Sequence, residues 1–374
     1  VFNVKDKFQL AFGEANMNLQ TQDTLNIDEV TNLIYHYGQK RTVLVGGEMG
    51  IGKSTILAML AKMLPNHKPI YFDCTTIDLG DLALPKISGD ADAQYSEFVP
   101  NKDLGFHLDQ PIILMLDEFG KGNNGVKPAL TRVILERAMQ EMSYHPDSIV
   151  FATTNLEEED VGDFLEAHQW NRMCYVPMRK PNADIWCPWA MLNDVEPVVI
   201  STIREFPQML QPFSEVARYE DNPYINHPDA VRKHFVTPRS LVAASDLIKL
   251  RDVLPPQTIR VGLNGVIGAA ATNDMLAYIQ LADQLPTLES IRTEPALAQV
   301  PSTGSAVCMV VYKALQTIDR SWADAWMTYM DRLPKEAQAL FAQGVTHKDH
   351  PQRNYFVTKQ TFTEWCHNNN YLYS

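Results

Sequence analysis

The run Gly47-Glu48-Met49-Gly50-Ile51-Gly52-Lys53-Ser54 constrains this chain more than any other stretch of it. Thr42-Val43-Leu44-Val45 precedes it, short, β-branched and apolar, which predicts a buried strand. After it, Ile56, Leu57, Met59, Leu60, Met63 and Leu64 recur at helical spacing until Pro65 stops the helix. Strand, glycine-rich turn and helix in that order make a cradle for phosphate. The glycines let the backbone wrap close to an anion, and the helix start adds free N–H groups and the positive end of its dipole. The spacing G-x-x-x-x-G-K-[ST] puts Lys53 on the β/γ-phosphates of a nucleotide and the Ser54 hydroxyl on magnesium. Gly47 to Ser54, with Thr55 following, are therefore the candidate nucleotide-binding residues, and ATP with Mg2+ the expected ligands. A glycine-rich turn with no ligand is the bland alternative. A dinucleotide fingerprint fails, because Thr55 stands where its third glycine belongs.

Two further strands supply polar residues at their ends. Pro111-Ile112-Ile113-Leu114-Met115-Leu116 runs into Asp117-Glu118. An acidic pair at a strand tip is costly unless cations or hydrogen bonds satisfy it. Beside the cradle, Asp117 would hold magnesium or its water, and Glu118 would polarise the attacking water. A helix N-cap at Asp117 is the structural alternative. Ser148-Ile149-Val150-Phe151-Ala152-Thr153-Thr154 leads to Asn155. In an open parallel sheet, ligands sit outside the carboxyl ends of the strands, so Lys53, Glu118 and Asn155 are expected to converge. Asn155 would orient the water or touch the γ-phosphate, or else serve as a turn residue.

These residues, in this order, resemble the AAA+ ATPases, and within them the MoxR group to which the CbbQ and NorQ proteins belong. The resemblance covers about residues 40 to 250 and includes Val126 to Arg137 as the helix after the acidic strand. It implies an αβα P-loop sandwich with a parallel sheet over residues 1–181, a helical lid over 182–283 and a helical C-terminal extension over 284–374. It implies Asp117 and Glu118 as the Walker B acids and Asn155 as sensor 1. By the same resemblance Arg172, before the strand-like run Met173–Met178, is the finger that reaches a neighbour's γ-phosphate. A surface ion pair is its other reading, and Arg137 and Arg179 are the substitutes. Arg239 follows Thr237-Pro238, an N-cap and first helical position. A cation in a first turn opposes the dipole unless an anion resolves it, and the resemblance makes Arg239 the sensor 2 residue; a solvated arginine is the alternative.

A site completed by a neighbour's arginine implies a homo-oligomeric ring, a hexamer by resemblance. The resemblance also implies that ATP-driven motion remodels, assembles or activates a protein client, with a partner carrying a von Willebrand factor A domain. A net charge of −13 opposes sequence-independent nucleic-acid binding, which runs on Lys and Arg. A nucleic-acid motor or loader stays an alternative, as does a nucleotide-gated scaffold with little turnover. Glu118 and Arg172 together speak against the scaffold. No run approaches the ~20 apolar residues of a membrane span, Val1 to Asp6 lack a secretory pattern, and five scattered cysteines suit a reducing compartment, so a cytoplasmic location is expected.

The remaining segments are open. Residues 70–110 are either an insertion that contacts a client or an ordinary surface loop. Trp186 and Trp189, and the tail aromatics Trp322, Trp326, Tyr329, Tyr355, Phe356, Phe362, Trp365, Tyr371 and Tyr373, fit core packing or, in the tail, a docking surface. Gly262, Gly265 and Gly268 suit close helix contact. His347 and His350 lack a third metal ligand in register.

Overall fold

The computed structural model describes residues 24–89, 94–121, 125–155, 171–230, 232–282 and 285–369. Asp90, Asp92, Gln169, Trp170, Tyr371, Tyr373 and the N-terminal residues lie outside them. The chain divides into two units between Lys180 and Pro181.

In the first unit the apolar runs form a five-stranded parallel sheet. Its strands are β1 (Val43–Gly47), β2 (Lys68–Asp73), β5 (Ile112–Asp117), β8 (Ile149–Asn155) and β9 (Cys174–Pro177), in the order β2-β5-β8-β1-β9. Successive side chains of a strand point to opposite faces. On one face Val43, Val45, Ile113, Met115, Ile149 and Phe151 pack on α1 (Ile27–Tyr37) and α2 (Thr55–Met63) through Val30, Ile34, Ile56 and Leu60. On the other, Leu44, Leu114, Leu116, Val150 and Ala152 pack on Val126, Leu130, Val133 and Ile134 of a helix over Val126–Glu136. Both faces are covered, so β1, β5 and β8 are buried nearly throughout. This is the αβα P-loop sandwich.

Residues 70–110 carry regular structure. They contain the edge strand β2, a short helix α3 (Leu79–Leu82) and an antiparallel hairpin of β3 (Ala83–Ser88) and β4 (Tyr95–Pro100). β2 escapes sequence reading because Pro69 interrupts it and only Phe72 is buried, which an edge position permits. The helix over Val126–Glu136, α4, then leads through a two-residue pairing of β6 (Ala138–Met139) and β7 (Met142–Ser143) into β8.

The second unit is helical: α5 (Ala183–Leu192), α6 (Pro197–Glu205), α7 (Pro238–Ile248), α8 (Pro256–Ile267), α9 (Ala269–Ala282), α10 (Leu288–Thr293), α11 (Gly304–Thr317), α12 (Ala323–Met330), α13 (Lys335–Thr346), α14 (Arg353–Thr358) and α15 (Gln360–Asn368). One hydrophobic core runs from Ala183 to Trp365, joining the expected lid residues to the expected extension. Gly262 does lie against its neighbour, since a Cβ there would sit 3.2 Å from Leu247. Gly268, at φ 81°, separates α8 from α9.

Candidate functional site

Three strand ends meet as the topology requires. β8 lies between β1 and β5, with Gly47 in register with Asn155 and Leu116 with Ala152. After Gly47 the chain turns through Gly50 (φ 71°) and Gly52 (φ 105°), left-handed conformations that favour glycine, and enters α2 behind Ser54. Met49 is exposed at the loop tip, whereas Ile51 is buried beneath it. Lys53 therefore returns toward the sheet and is only 6% exposed. Its Nζ donates to the Gly47 carbonyl at 2.7 Å, to the Glu48 carbonyl at 2.9 Å and to Asn155 Oδ1 at 2.6 Å.

Asn155 passes the connection on. Its Nδ2 donates to both carboxylate oxygens of Glu118, at 2.7 and 2.8 Å. Lysine, amide and carboxylate thus form one continuous chain at the carboxyl ends of β1, β8 and β5. Glu118 has a left-handed backbone, φ 51°. A non-glycine residue held there costs of order 1–3 kcal/mol, a conformation that clusters at functional sites. The turn follows immediately on β5, where it sets Glu118 against Asn155.

Asp117 is not a helix N-cap. One of its oxygens accepts from the Thr153 hydroxyl and the other from Tyr71 at 2.8 Å, and Thr153 Oγ1 also accepts from the Glu118 N–H at 3.3 Å. Partial desolvation of this otherwise exposed ring, together with the Asp117 hydrogen bond and nearby negative charge, raises the Tyr71 phenol above its usual range. Burial pushes the adjacent Cys74 thiol up to about 12, with Asp73 and Asp117 adding to it, so this cysteine is an inert core group.

The arginines separate. Arg172 is exposed on the turn before β9, outside the hydrogen-bonded chain. Arg239 is exposed in the first turn of α7, in the second unit, behind a capping box made by Thr237 and Ser240. Arg137, the substitute for Arg172 as the finger, is engaged within its own chain. Its guanidinium donates to Thr42 Oγ1 at 2.5 Å, to Gly38 O at 2.8 Å and to the Ile134 carbonyl, joining the ends of α1 and α4 to the start of β1. Burial lowers its pKa to about 10, with no carboxylate among the causes.

Sequence reading missed Tyr71 and Thr153 on Asp117, and the pairing of Glu48 with Lys180, Oε2 to Nζ 3.3 Å. The hydroxyl of Thr153 could have been flagged from its place two residues before Asn155 on a buried strand. Lys180 carries no local signal.

The donor set suits the expected ligands. Gly50 and Gly52 give the loop its concave turn, and Ser54 and Asp117 offer a hydroxyl and a carboxylate, hard oxygen donors of the kind magnesium takes. Among the described residues no three of His, Cys, Asp and Glu cluster as a metal cage. Magnesium needs none, since it binds through one or two carboxylates and the substrate's phosphates. In the second unit His350 is committed elsewhere: its Nε2 bonds the Leu315 carbonyl at 3.0 Å and its Nδ1 accepts from the Gln352 N–H at 3.1 Å.

No protein-family model matches this sequence, and no curated protein matches it. Solved structures with some likeness include the Thermotoga maritima RuvB Holliday junction branch migration motor, 11% identical with a TM-score of 0.36, covering 69% of this chain and 70% of that one. A single-site variant of the same protein is 12% identical with a TM-score of 0.37, over 79% of this chain and 85% of that one. Similarity at this level says nothing of what the present chain acts on.

Proposed function

We propose that this protein is a Mg2+-dependent ATPase of the AAA+ class, acting in an oligomeric ring to remodel, assemble or activate a protein client. The observation that carries the ATPase reading is the chain Lys53–Asn155–Glu118, a phosphate-loop lysine joined through one amide to a strand-end carboxylate. Ser54 and Asp117 would hold the magnesium, which when bound supplies positive charge against the phosphate oxygens. Gly47 to Thr55 cradle the phosphates with backbone N–H groups, and Lys53 neutralises their outer oxygens. Glu118 accepts a hydrogen bond from the attacking water and polarises it. Asn155 fixes the carboxylate on one side and holds Lys53 on the other, so its amide sets the position of both groups. Arg172, exposed before β9, serves a neighbouring subunit's site in trans, and Arg239 takes the sensor 2 role that the sequence resemblance implies.

Support for a protein client comes from the β3–β4 hairpin. Leu84, Ile87, Tyr95, Phe98 and Val99 are exposed there, Ile87 by 73%, while the paired charges Lys86 and Glu97 cancel. A nucleic-acid groove calls for net positive charge beside its aromatics. The MoxR-like assignment, a hexamer and a von Willebrand factor A partner belong to this same reading and are carried by the sequence resemblance alone. Among the described residues no helix is long and apolar enough to cross a membrane.

The test is ATP turnover by wild type and Glu118→Gln. Glu118→Gln is expected to bind nucleotide and lose turnover by about 100-fold or more. Wild-type turnover in Glu118→Gln contradicts the mechanism. For the ring, Arg172→Ala subunits are expected to regain activity when mixed with Glu118→Gln subunits; no rescue at any ratio removes Arg172 from its role in trans.

A further inference from the structure

The phosphate loop carries a charge of the wrong sign. Glu48, its second residue, places a carboxylate in a loop built to receive a polyanion, where like charge opposes binding. The fold brings Lys180 onto it. Strand β9 runs parallel to β1 with Gly46 in register with Pro177, and the Met178 N–H donates to the Gly46 carbonyl at 2.6 Å. The approach is close: a Cβ on Gly47 would lie 2.6 Å from Ile51 Cδ1 and 3.1 Å from the Met178 carbonyl. From the other side, Leu25 N donates to Pro177 O at 3.0 Å and Arg179 N to Leu25 O at 2.8 Å. Residues 177–179 are thus clamped between β1 and the segment before α1, and the next residue, Lys180, lies over the loop. Its side chain is 2% exposed and its Nζ is 3.3 Å from Glu48 Oε2. A lysine buried this deeply costs several kcal/mol unless paired. Burial lowers its pKa while Glu48 pulls it back up. The same Glu48 offers its carbonyl to Lys53 at 2.9 Å, so whatever holds Glu48 also bears on the catalytic lysine.

We propose that Lys180 is a positioning residue for nucleotide binding: it neutralises Glu48 within the phosphate loop and holds that segment in place, so that the loop presents a positive field to the phosphates. This rests on the loop binding ATP. Lys180 acts through Glu48.

The proposal makes the two partners' substitutions act in opposite directions on binding, which a purely structural ion pair does not. The experiment is calorimetric titration of the full chain with MgATP and, separately, MgADP. Lys180→Met, which takes this cation away from Glu48, is expected to weaken MgATP binding by about 10- to 100-fold and MgADP, which carries less charge, by a smaller factor. Glu48→Gln removes the loop's negative charge, and with the nucleotide's own phosphates then favouring the protonated Lys180 it is expected to tighten MgATP binding severalfold. The double variant returns to within about threefold of wild type, and Lys180→Arg keeps most of the affinity. Should Lys180→Met fail to fold, Glu48→Gln decides alone: tighter binding supports the proposal, and equal or weaker binding overturns it. Wild-type affinity in a folded Lys180→Met overturns the role of Lys180 and leaves the ATP site standing, whereas a wild-type chain that binds neither nucleotide overturns both.

Discussion

The strand-end site of the first unit and the helical core of the second bury polar groups by opposite logic. In the first, Lys53, Thr153, Asn155 and Lys180 are buried and joined to carboxylates or carbonyls, a concentration of charge whose burial costs stability that pairing and hydrogen bonds only partly return. In the second, the interior is dominated by Trp326, Tyr329, Phe341, Phe356 and Phe362, whose rings pack in tilted and edge-on pairs. Among its buried polar groups Gln338 serves geometry: Oε1 accepts from Trp365 Nε1 at 2.8 Å and Nε2 donates to Leu333 O at 2.8 Å, tying α15 to the start of α13. In one region the buried polar groups pair with carboxylates and carbonyls at strand ends, and in the other they tie helices together.

That contrast predicts substitutions that separate stability from activity. Trp326→Ala should remove about 3–5 kcal/mol of unfolding free energy, read by chemical denaturation; a loss under 1 kcal/mol would mean the aromatic cluster is not the core it looks to be. Asn155→Ala should lower ATP turnover by about 100-fold, the scale of one oriented hydrogen-bond donor, with a much smaller effect on stability. If Asn155→Ala instead behaves like Trp326→Ala, the contrast fails. Arg137→Met sharpens it from within the first unit, since its partners are the backbone of Gly38 and Ile134 and the Thr42 hydroxyl. It should cost about 1.5–3 kcal/mol of stability while the folded protein keeps near wild-type turnover, and loss of turnover in a folded variant would return Arg137 to the site.

The smallest effect concerns pH. Burial holds the His350 imidazole below its ordinary 6.5, with the Leu315 contact opposing. A proton on Nδ1 would displace the bond it accepts from Gln352. The unfolded chain therefore takes up the proton first. His350 contributes its stability above about pH 6.5 and loses it as pH falls through the depressed folded value. Compared with His350→Gln, wild type should lose stability faster on acidification below that point; equal slopes would contradict the assignment.

The part of the site that chemistry spaces along the chain was legible before any fold was known. Lys53 follows its glycines at a fixed interval because a phosphate has a fixed size, and Asp117, Glu118 and Asn155 stand at the tips of apolar runs whose direction a parallel sheet imposes. What depends on lateral strand order was not legible. Lys180 meets Glu48 only because β9 pairs with β1, and Tyr71 meets Asp117 only because β2 is the edge strand beside β5. Arg137 read in sequence as a substitute finger, and its guanidinium is engaged by Thr42, Gly38 and Ile134 across elements distant in the chain. The hairpin was ambiguous because Pro85, Gly89 and Pro100 read as loop, although Pro85 pairs with Phe98 across it. The helical unit offered periodicity without chemistry, so its single core could not be told in advance from two separate pieces.

The most direct test of the account is MgATP binding measured side by side for wild type, Lys53→Ala and Glu118→Gln. Wild type and Glu118→Gln should bind, and Lys53→Ala should lose affinity by about 100-fold or more, because the buried Lys53 ammonium is the group proposed to meet the phosphates. Equal affinity in all three would place the nucleotide elsewhere and contradict the chain Lys53–Asn155–Glu118 as the catalytic centre.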